Sequence, residues 1–296
     1  MAAPPAGNNA IANEVNNRGQ VGGVAETTTP DPACVAPQVL QAKPVVWEKG
    51  EIEELPTFQG DPDGFVNAIN DIGQAVGASG KCFTALPGIH ALLWQRSDET
   101  DFQNEDAHDN WSVTDIGNLG GTWNHFPQDI NNQGQVVGFS NLPNDTTTHA
   151  FLWTEDDGIQ DLGTLPGDFS SFAYSINNKA QVVGTSAGAS GPRAFLWQSG
   201  VVTDLNTLIP AGSPLFLLDA FSINPRGEIV GDALQTSTGE VHAYLAIPQN
   251  GSSTSATVTP ATQAESSKVI LPENVRRLLQ QWLRIGRFGA GFTRPQ

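Results

Sequence analysis

The chain has 296 residues and a formal net charge of −17, with 39% apolar residues, 31 glycines and 20 prolines. This composition is typical of many short strands joined by tight turns, in one large all-β domain or two smaller ones. The acidity argues against nucleic acid as the main partner, because phosphate binding needs a basic face. No apolar run is long enough for a membrane-spanning helix, and the N-terminus has no signal-peptide pattern.

One segment recurs five times, with the approximate form A-x-x-I-N-x-x-G-Q-x-V-G. Its shared asparagines are Asn16, Asn70, Asn131, Asn177 and Asn224, separated by 54, 61, 46 and 47 residues. A period of this length matches one four-stranded propeller blade and is too long for one coil of a β-solenoid.

Each copy contains four strand-like runs, which the third copy places at 126–131, 135–140, 149–153 and 158–163. Runs such as QVVG and AFLW are apolar throughout, as expected when both faces of a sheet are covered. The sequence therefore predicts an all-β fold, a five-bladed β-propeller of four-stranded antiparallel blades, over residues 1–248.

The first two strands of each copy are joined by an Asn-x-x-Gly turn, in which glycine suits a left-handed backbone. Ala180 occupies the glycine position in the fourth copy. A Cβ in that conformation costs about 1–2 kcal/mol, so we expect Ala180→Gly to stabilise the protein.

The two ends of the array depart from the repeat. The fifth copy has no fourth strand, and Ala246 stands where the other copies have tryptophan. The first copy begins after the position of a fourth strand. We expect the natural reading frame to extend upstream with a closing strand and an export signal; the alternative is that residues 268–271 supply that strand.

The C-terminal region differs from the repeats. Residues 249–267 read as a flexible Ser/Thr-rich linker. Residues 268–296 hold six Lys/Arg and one acidic residue (net +5), whereas residues 1–267 hold eight Lys/Arg and thirty acidic residues (net −22). A helical stripe is formed by Val275, Leu278, Leu279, Trp282 and Leu283. Such a basic amphipathic helix binds a membrane surface, a partner or the chain's own acidic propeller, and we favour the last.

The wording of the repeat resembles the HAF-repeat family of bacterial, extracellular repeat proteins. The segments that carry this resemblance are HAFLW (149–153), DLGTLPG (161–167) and SINNKAQVVG (175–184). The resemblance implies a propeller-like β-repeat and export, and it transfers no catalytic residues. The chain departs from it at the missing signal peptide, at Ala246 and at insertions over 25–43 and 96–111.

Two loops between blades carry aromatic residues, Trp123 in GGTWNHF and Phe169 in PGDFSSF. Aromatic rings on one face of a propeller serve as stacking platforms for sugars; packing against the adjacent blade is the competing interpretation. With His125 and Asp168 of the same loops, they form the candidate ligand-binding set.

Metal and cofactor sites are not expected. His90, His149 and His242 recur before the apolar third strand but belong to separate blades, so a repeated structural hydrogen bond explains them better than a metal site. Asp61 and Asp63 share only part of a calcium loop, which lacks the third acidic position and the terminal glutamate.

The two cysteines, Cys34 and Cys82, fall in equivalent loops of adjacent copies. Their spacing leaves open both a bridge between neighbouring modules and two unpaired thiols.

No hydrolase, zinc-protease or phosphate-loop motif is present. We therefore expect a non-catalytic, exported binding or interaction module whose ligand is carbohydrate or protein. The alternatives are a glycan-cleaving five-bladed propeller enzyme and a surface-structural repeat protein.

Overall fold

The computed structural model describes residues 9–34, 38–82, 89–96, 111–123 and 125–248. Within these ranges the protein is all-β, with twenty strands in five antiparallel sheets that follow one another along the chain. The predicted linker over 249–267, the basic tail over 268–296 and the strand proposed for 268–271 lie outside the described residues.

The first four sheets each contain four strands in sequential order. The first sheet contains β1 (Ala10–Val15), β2 (Val21–Pro30), β3 (Leu40–Glu48) and β4 (Glu51–Glu54). The second contains β5 (Asp63–Ile69), β6 (Ala75–Gly80), β7 (His90–Arg96) and β8 (Trp111–Asp115). The third contains β9 (Phe126–Ile130), β10 (Val136–Asn141), β11 (Thr148–Thr154) and β12 (Gly158–Gly163). The fourth contains β13 (Asp168–Ile176), β14 (Val182–Gly188), β15 (Gly191–Gln198) and β16 (Val201–Asp204). The strands predicted for the third copy agree with β9–β12 to within one residue.

The fifth sheet is built differently. It contains β17 (Leu215–Leu217), β18 (Ser222–Ile223), β19 (Ile229–Gln235) and β20 (Val241–Ala246). Both β17 and β18 pair with β19, at its two ends, while β20 pairs along the same strand. The short β17 and β18 are therefore two halves of an interrupted first strand. Among the described residues no strand pairs outside β20, as predicted from the truncated fifth copy.

Consecutive sheets pack face to face through apolar side chains. Val137 and Leu152 of the third sheet, for example, are buried in one cluster with Ile176 of the fourth. The first strand of each sheet contacts the first strand of the next. The recurring tryptophans fit this scheme, since Trp94 and Trp153 are buried in clusters between sheets.

The repeated Val-Gly pair has a steric cause. A Cβ placed on Gly77 would lie 1.9 Å from the carbonyl oxygen of Phe65 in the preceding strand. The equivalent glycines meet the equivalent carbonyl oxygens at 1.9–2.1 Å, at Gly23, Gly138, Gly184 and Gly231. A side chain at this position would push the first two strands apart, so every copy requires glycine.

The Asn-x-x-Gly turn also forms as predicted. In the third copy the Gly134 N–H donates to the carbonyl oxygen of Asn131 at 3.0 Å, and φ of Gly134 is +74°. Ala180 makes the equivalent bond to Asn177 at 3.0 Å with φ of +54°. An alanine therefore occupies a left-handed position that glycine fills in the other four copies.

Candidate functional site

The repeated asparagines form a hydrogen-bonded ladder that crosses every boundary between consecutive sheets. Each Nδ2 donates to the backbone carbonyl oxygen of the asparagine in the next copy. The four distances, from Asn16, Asn70, Asn131 and Asn177 in turn, are 2.8, 3.0, 3.1 and 3.1 Å. We call this edge of the molecule the turn end.

Each asparagine also organises its own turn. The Oδ1 of Asn131 accepts hydrogen bonds from the backbone N–H groups of Gln133 and Gln135, both at 3.0 Å. Its Nδ2 donates to Oε1 of Gln135 at 2.7 Å. The Asn and Gln of the repeat therefore serve the fold, because their polar atoms are already paired within the chain.

A second ladder runs beside the first, one residue further along each copy. The backbone N–H of Asn17 donates to Asp71, that of Asp71 to Asn132, and that of Asn132 to Asn178, each time to Oδ1 at 2.9 Å. The backbone N–H of Asn17 and the side-chain amides of Asn132 and Asn17 hold the pKa of Asp71 below its ordinary value. The fifth copy has Pro225 at this position, which has no side-chain acceptor.

The two ladders line a cavity of about 250 Å³ at the turn end. The carboxylate of Asp129 also faces this cavity. Its Oδ2 accepts hydrogen bonds from Oγ of Ser175 at 2.8 Å and from the backbone N–H of Ile176 at 2.9 Å. Asp129, like the ladder residues, is thus bound into contacts between neighbouring sheets.

The loops that precede the first strands lie at the opposite edge, which we call the loop end. Two of the candidate ligand-binding residues are exposed there at equivalent positions: Trp123 is 37% exposed and Phe169 is 55% exposed. Pro62 holds the same position in the second sheet. The loop end therefore presents aromatic side chains from two successive sheets.

The other two candidate residues, His125 and Asp168, lie behind the exposed rings and hydrogen-bond to neighbouring strands. Nδ1 of His125, a buried residue, lies 2.9 Å from Oγ of Ser140. Burial lowers the pKa of His125. Oδ2 of Asp168 accepts hydrogen bonds from Oγ of Ser186 at 2.8 Å and from the guanidinium of Arg193 at 2.9 Å. His125 is buried and the side chain of Asp168 is 5% exposed, so both lie behind the exposed rings, and their part in ligand binding stays a prediction.

Asp145 is a loop-end residue that the repeat pattern did not single out. It belongs to a 3-10 turn, Pro143–Asp145, in the hairpin between β10 and β11. Its Oδ1 accepts hydrogen bonds from the backbone N–H groups of Thr122 at 2.8 Å and of Trp123 at 3.1 Å. Asp145 therefore fixes the backbone beneath the exposed tryptophan. Only the local LPND insertion of the third copy could have suggested it.

The recurrent histidines make the structural bonds expected of them. Nδ1 of His90 lies 2.9 Å from the carboxylate of Asp115, and Nδ1 of His149 lies 2.9 Å from that of Asp161. In the fourth sheet Arg193 and Asp204 form the corresponding ion pair at 2.9 Å. Each pair ties the third strand of a sheet to its fourth strand.

His242 of the fifth sheet, which has no fourth strand among the described residues, faces Glu240 at 3.5 Å instead. Its different partner follows from the missing strand.

Cys34 and Cys82 form a disulfide that joins the first sheet to the second. Asp63, fully buried, lies beside it and accepts a hydrogen bond from the backbone N–H of Ala42 at 2.8 Å. Burial, together with the neighbouring carboxyl of Asp31, raises the pKa of Asp63 to about 7.

The same two cysteines and Asp63 form a compact group of metal-ligand types. The two sulfur atoms are bonded to each other, and metal ligation requires free thiolates. The partial calcium motif is also divided, because Asp61 accepts from Oγ of Ser79 at 2.7 Å whereas Asp63 faces the disulfide.

Comparison with known proteins adds one structural likeness. No family model matches the chain, and no curated protein matches it by sequence. Among solved structures, it is similar to a puromycin-hydrolyzing peptidase from Mycobacterium tuberculosis, with a TM-score of 0.49 and 13% identity. The match covers 82% of this chain and 39% of the peptidase chain. The resemblance to HAF repeats therefore still rests on the wording of the segments quoted above. Among the described residues, no helix has the length and apolar character needed to cross a membrane.

Proposed function

We propose that the five sheets are blades of a β-propeller and that the protein is an exported, non-catalytic module that binds carbohydrate at the loop end. The sequential antiparallel sheets, the face-to-face packing of consecutive sheets and the contacts between their first strands support the propeller. The first strands then lie beside the propeller axis, and the loop end is one rim of the array of blades.

The observation that carries the binding function is the exposure of Trp123, before β9, and of Phe169, the second residue of β13, at equivalent positions of the repeat. Large aromatic side chains bury 150–250 Å² each when they are covered. Flat rings on neighbouring blades suit a chain of sugar units, because each ring stacks on the apolar face of one pyranose. A protein ligand is the competing occupant, and binding it would not require aromatic rings at equivalent positions of neighbouring blades.

The surroundings of the two rings favour binding over cleavage. Glycoside hydrolysis requires two carboxyl groups that face each other across the substrate. At the loop end, Asp61, Asp145 and Asp168 each accept hydrogen bonds from their own loops or sheets. Because these carboxylates are already hydrogen-bonded, the backbone around them is held in one conformation. This lowers the conformational entropy lost when a ligand binds.

The Cys34–Cys82 disulfide supports export, since disulfides persist mainly in oxidising compartments such as the bacterial periplasm and the extracellular space. The resemblance to HAF repeats points to the same location. The disulfide and the resemblance bear on the compartment in which the protein works, and the ligand is identified by the following experiment.

The test is retention of the full chain on cellulose, chitin and peptidoglycan, measured by co-sedimentation over a range of polysaccharide concentrations. We expect at least one of them to retain the protein. Trp123→Ala and Phe169→Ala should each weaken retention by roughly tenfold, since aromatic stacking contributes about 0.5–1.5 kcal/mol beyond burial. Ile72→Ala is the matched control, because Ile72 is 57% exposed and lies in the β5–β6 turn at the turn end.

Retention that is unchanged in both aromatic variants, or absent on every polysaccharide, would overturn the carbohydrate-binding proposal. Release of soluble sugars during the same incubation would favour the glycan-cleaving alternative. If neither retention nor release occurs, the surface-structural repeat becomes the better description.

A further inference from the structure

The internal boundaries between sheets share a packing pattern. In the second, third and fourth sheets a second-strand valine and a third-strand leucine face the first strand of the next sheet, and in the first sheet Gly22 and Val46 hold these two positions. Val137 and Leu152 cover Ile176 in this way, and Val183 covers Ile223. All five are buried, with both valines fully so. We call the surface that a sheet presents to its successor its forward face.

The fifth sheet has a forward face with the same apolar character. Val230 and Leu245 occupy the equivalent positions and lie opposite each other in the β19–β20 ladder. They are 43% and 60% exposed, and the adjacent Ile247 is also 60% exposed. Asp232 and Ala243, two residues further along each strand, lie on the same face. Both positions are buried in the first three sheets, and the fourth sheet buries Val183 and part of Leu196, whereas the fifth sheet leaves both of its positions open.

The first sheet does not cover this surface. Its outward-facing Ile11 and Val15 are themselves exposed, although the residues equivalent to Val15, such as Ile69 and Ile130, are buried. Among the described residues no extensive contact joins the first sheet to the fifth. Exposed apolar clusters of this kind mark surfaces that another segment or protein occupies.

We propose that the forward face of the fifth sheet is the docking site of the chain's own C-terminal segment, residues 272–286. The last described residue, Pro248, follows β20 directly, so the C-terminal segment starts beside the open face. The 23 residues between Pro248 and this segment, 249–271, include the Ser/Thr-rich linker predicted over 249–267. A flexible tether of this length has an average reach of about 25–30 Å, which is enough to return to the face.

The dimensions of the segment match those of the face. The helical stripe that the sequence predicts from Val275 to Leu283 would be about 12 Å long at 1.5 Å per residue. Strand β20, Val241–Ala246, is about 17–20 Å long at about 3.3 Å per residue. A two-turn apolar stripe can therefore lie along the β19–β20 pair and cover both Val230 and Leu245.

The charges are also complementary. Residues 268–296 carry a net charge of +5, whereas residues 1–267 carry −22. Asp232 lies within the apolar face, and burial already raises its pKa, so a cation beside it would favour its ionised form. Arg276, Arg277 and Arg284 lie off the apolar stripe and are free to face carboxylates at the margin of the sheet.

The proposal is tested on the full chain by limited trypsin digestion at native pH, with the rate of cleavage after Arg277 followed by mass spectrometry. Docking should protect this site. Leu245→Asp on the face and Trp282→Asp on the stripe should each speed cleavage by about tenfold or more, because each removes a large apolar group from the proposed contact. Val201→Asp, at a 62% exposed position in β16, and Gln280→Asp, off the stripe, are the matched controls.

The double variant Leu245→Asp/Trp282→Asp should cleave no faster than either single variant, because both changes break the same contact. Trp282→Asp changes no residue of the five described sheets, so this single variant tests docking even if Leu245→Asp unfolds the fifth sheet. Equal cleavage rates in the wild type and Trp282→Asp would overturn the proposal. Protection that disappears on dilution, together with loss of dimer mass in light scattering, would assign the face to a second copy instead.

Discussion

Removing one asparagine side chain of the first ladder should lower the free energy of unfolding by more than the loss of so small a side chain would suggest. Asn131→Ala deletes four hydrogen bonds: two accepted by Oδ1 within the turn, one donated to Gln135 and one donated to Asn177 across the sheet boundary. A hydrogen bond contributes about 0.5–1.5 kcal/mol net, and a buried group left unpaired costs more. Asn131 is buried, so we expect the free energy of unfolding to fall by about 3–5 kcal/mol.

Asn224→Ala separates the contribution of the turn from that of the sheet boundary. Asn224 makes the same turn bonds to Arg226 and Glu228, but no described hydrogen bond takes its Nδ2 to a further copy. Its replacement should cost about 1–2 kcal/mol less than that of Asn131. Urea unfolding followed by tryptophan fluorescence measures both variants, with the m-value as a check that the transition itself is unchanged. Equal losses in the two variants would show that the bond between sheets contributes nothing.

Three further predictions concern other features of the fold. Ala180→Gly should raise the melting temperature by about 2–4 °C, through a gain of roughly 1 kcal/mol in the free energy of unfolding. Gly19→Ala should lower the melting temperature, because φ of Gly19 is +79° and no atom lies within 4 Å of the new Cβ to explain a loss by crowding. A fall in both variants would refute the strain argument. Replacing Cys34 and Cys82 by serine should cost about 4 kcal/mol on the loop-entropy model for a separation of 48 residues, and an unchanged urea midpoint would count against it. The pKa of Asp63 is raised to about 7, so between pH 4 and 7 Asp63 is protonated in the folded protein and ionised in the unfolded chain. The contribution of Asp63 to stability should therefore fall as the pH rises from 4 to 7. Asp63→Asn should flatten this decline in urea midpoints measured across the pH range, and an identical slope in the variant would contradict the prediction.

The local part of the fold could be predicted from the sequence because each copy encodes its own turn and strands. The turn at Asn131–Gly134, the left-handed position of Ala180 and the strands of the third copy all depend on residues only a few positions apart. Repetition then made the boundaries between copies visible. The missing fourth strand of the fifth copy could be read in the same way.

The contacts between copies could not be predicted, because they join residues 46–61 positions apart whose partners depend on how sheets pack. The candidate site shows the same limit. His125 and Asp168 lie within two residues of Trp123 and Phe169 in the sequence. The sequence could not reveal that His125 is directed towards Ser140 and Asp168 towards Ser186. The pairing of the two cysteines could not be predicted either, because it depends on how the first and second sheets pack against each other.

The two ladders give the array a direction. In the first ladder every bond from an asparagine Nδ2, and in the second every bond from a backbone N–H, is donated to the copy that follows, so each position has a chemically distinct donor side and acceptor side. One side-chain bond beside the second ladder runs the other way, from Nδ2 of Asn132 to Asp71. Pro225 has neither a side-chain acceptor for the preceding copy nor an N–H for a following one. The copies are therefore not interchangeable units: a gene rearrangement that moved the fifth copy inward would break the second ladder at that point, whereas duplication of the third or fourth copy would preserve it.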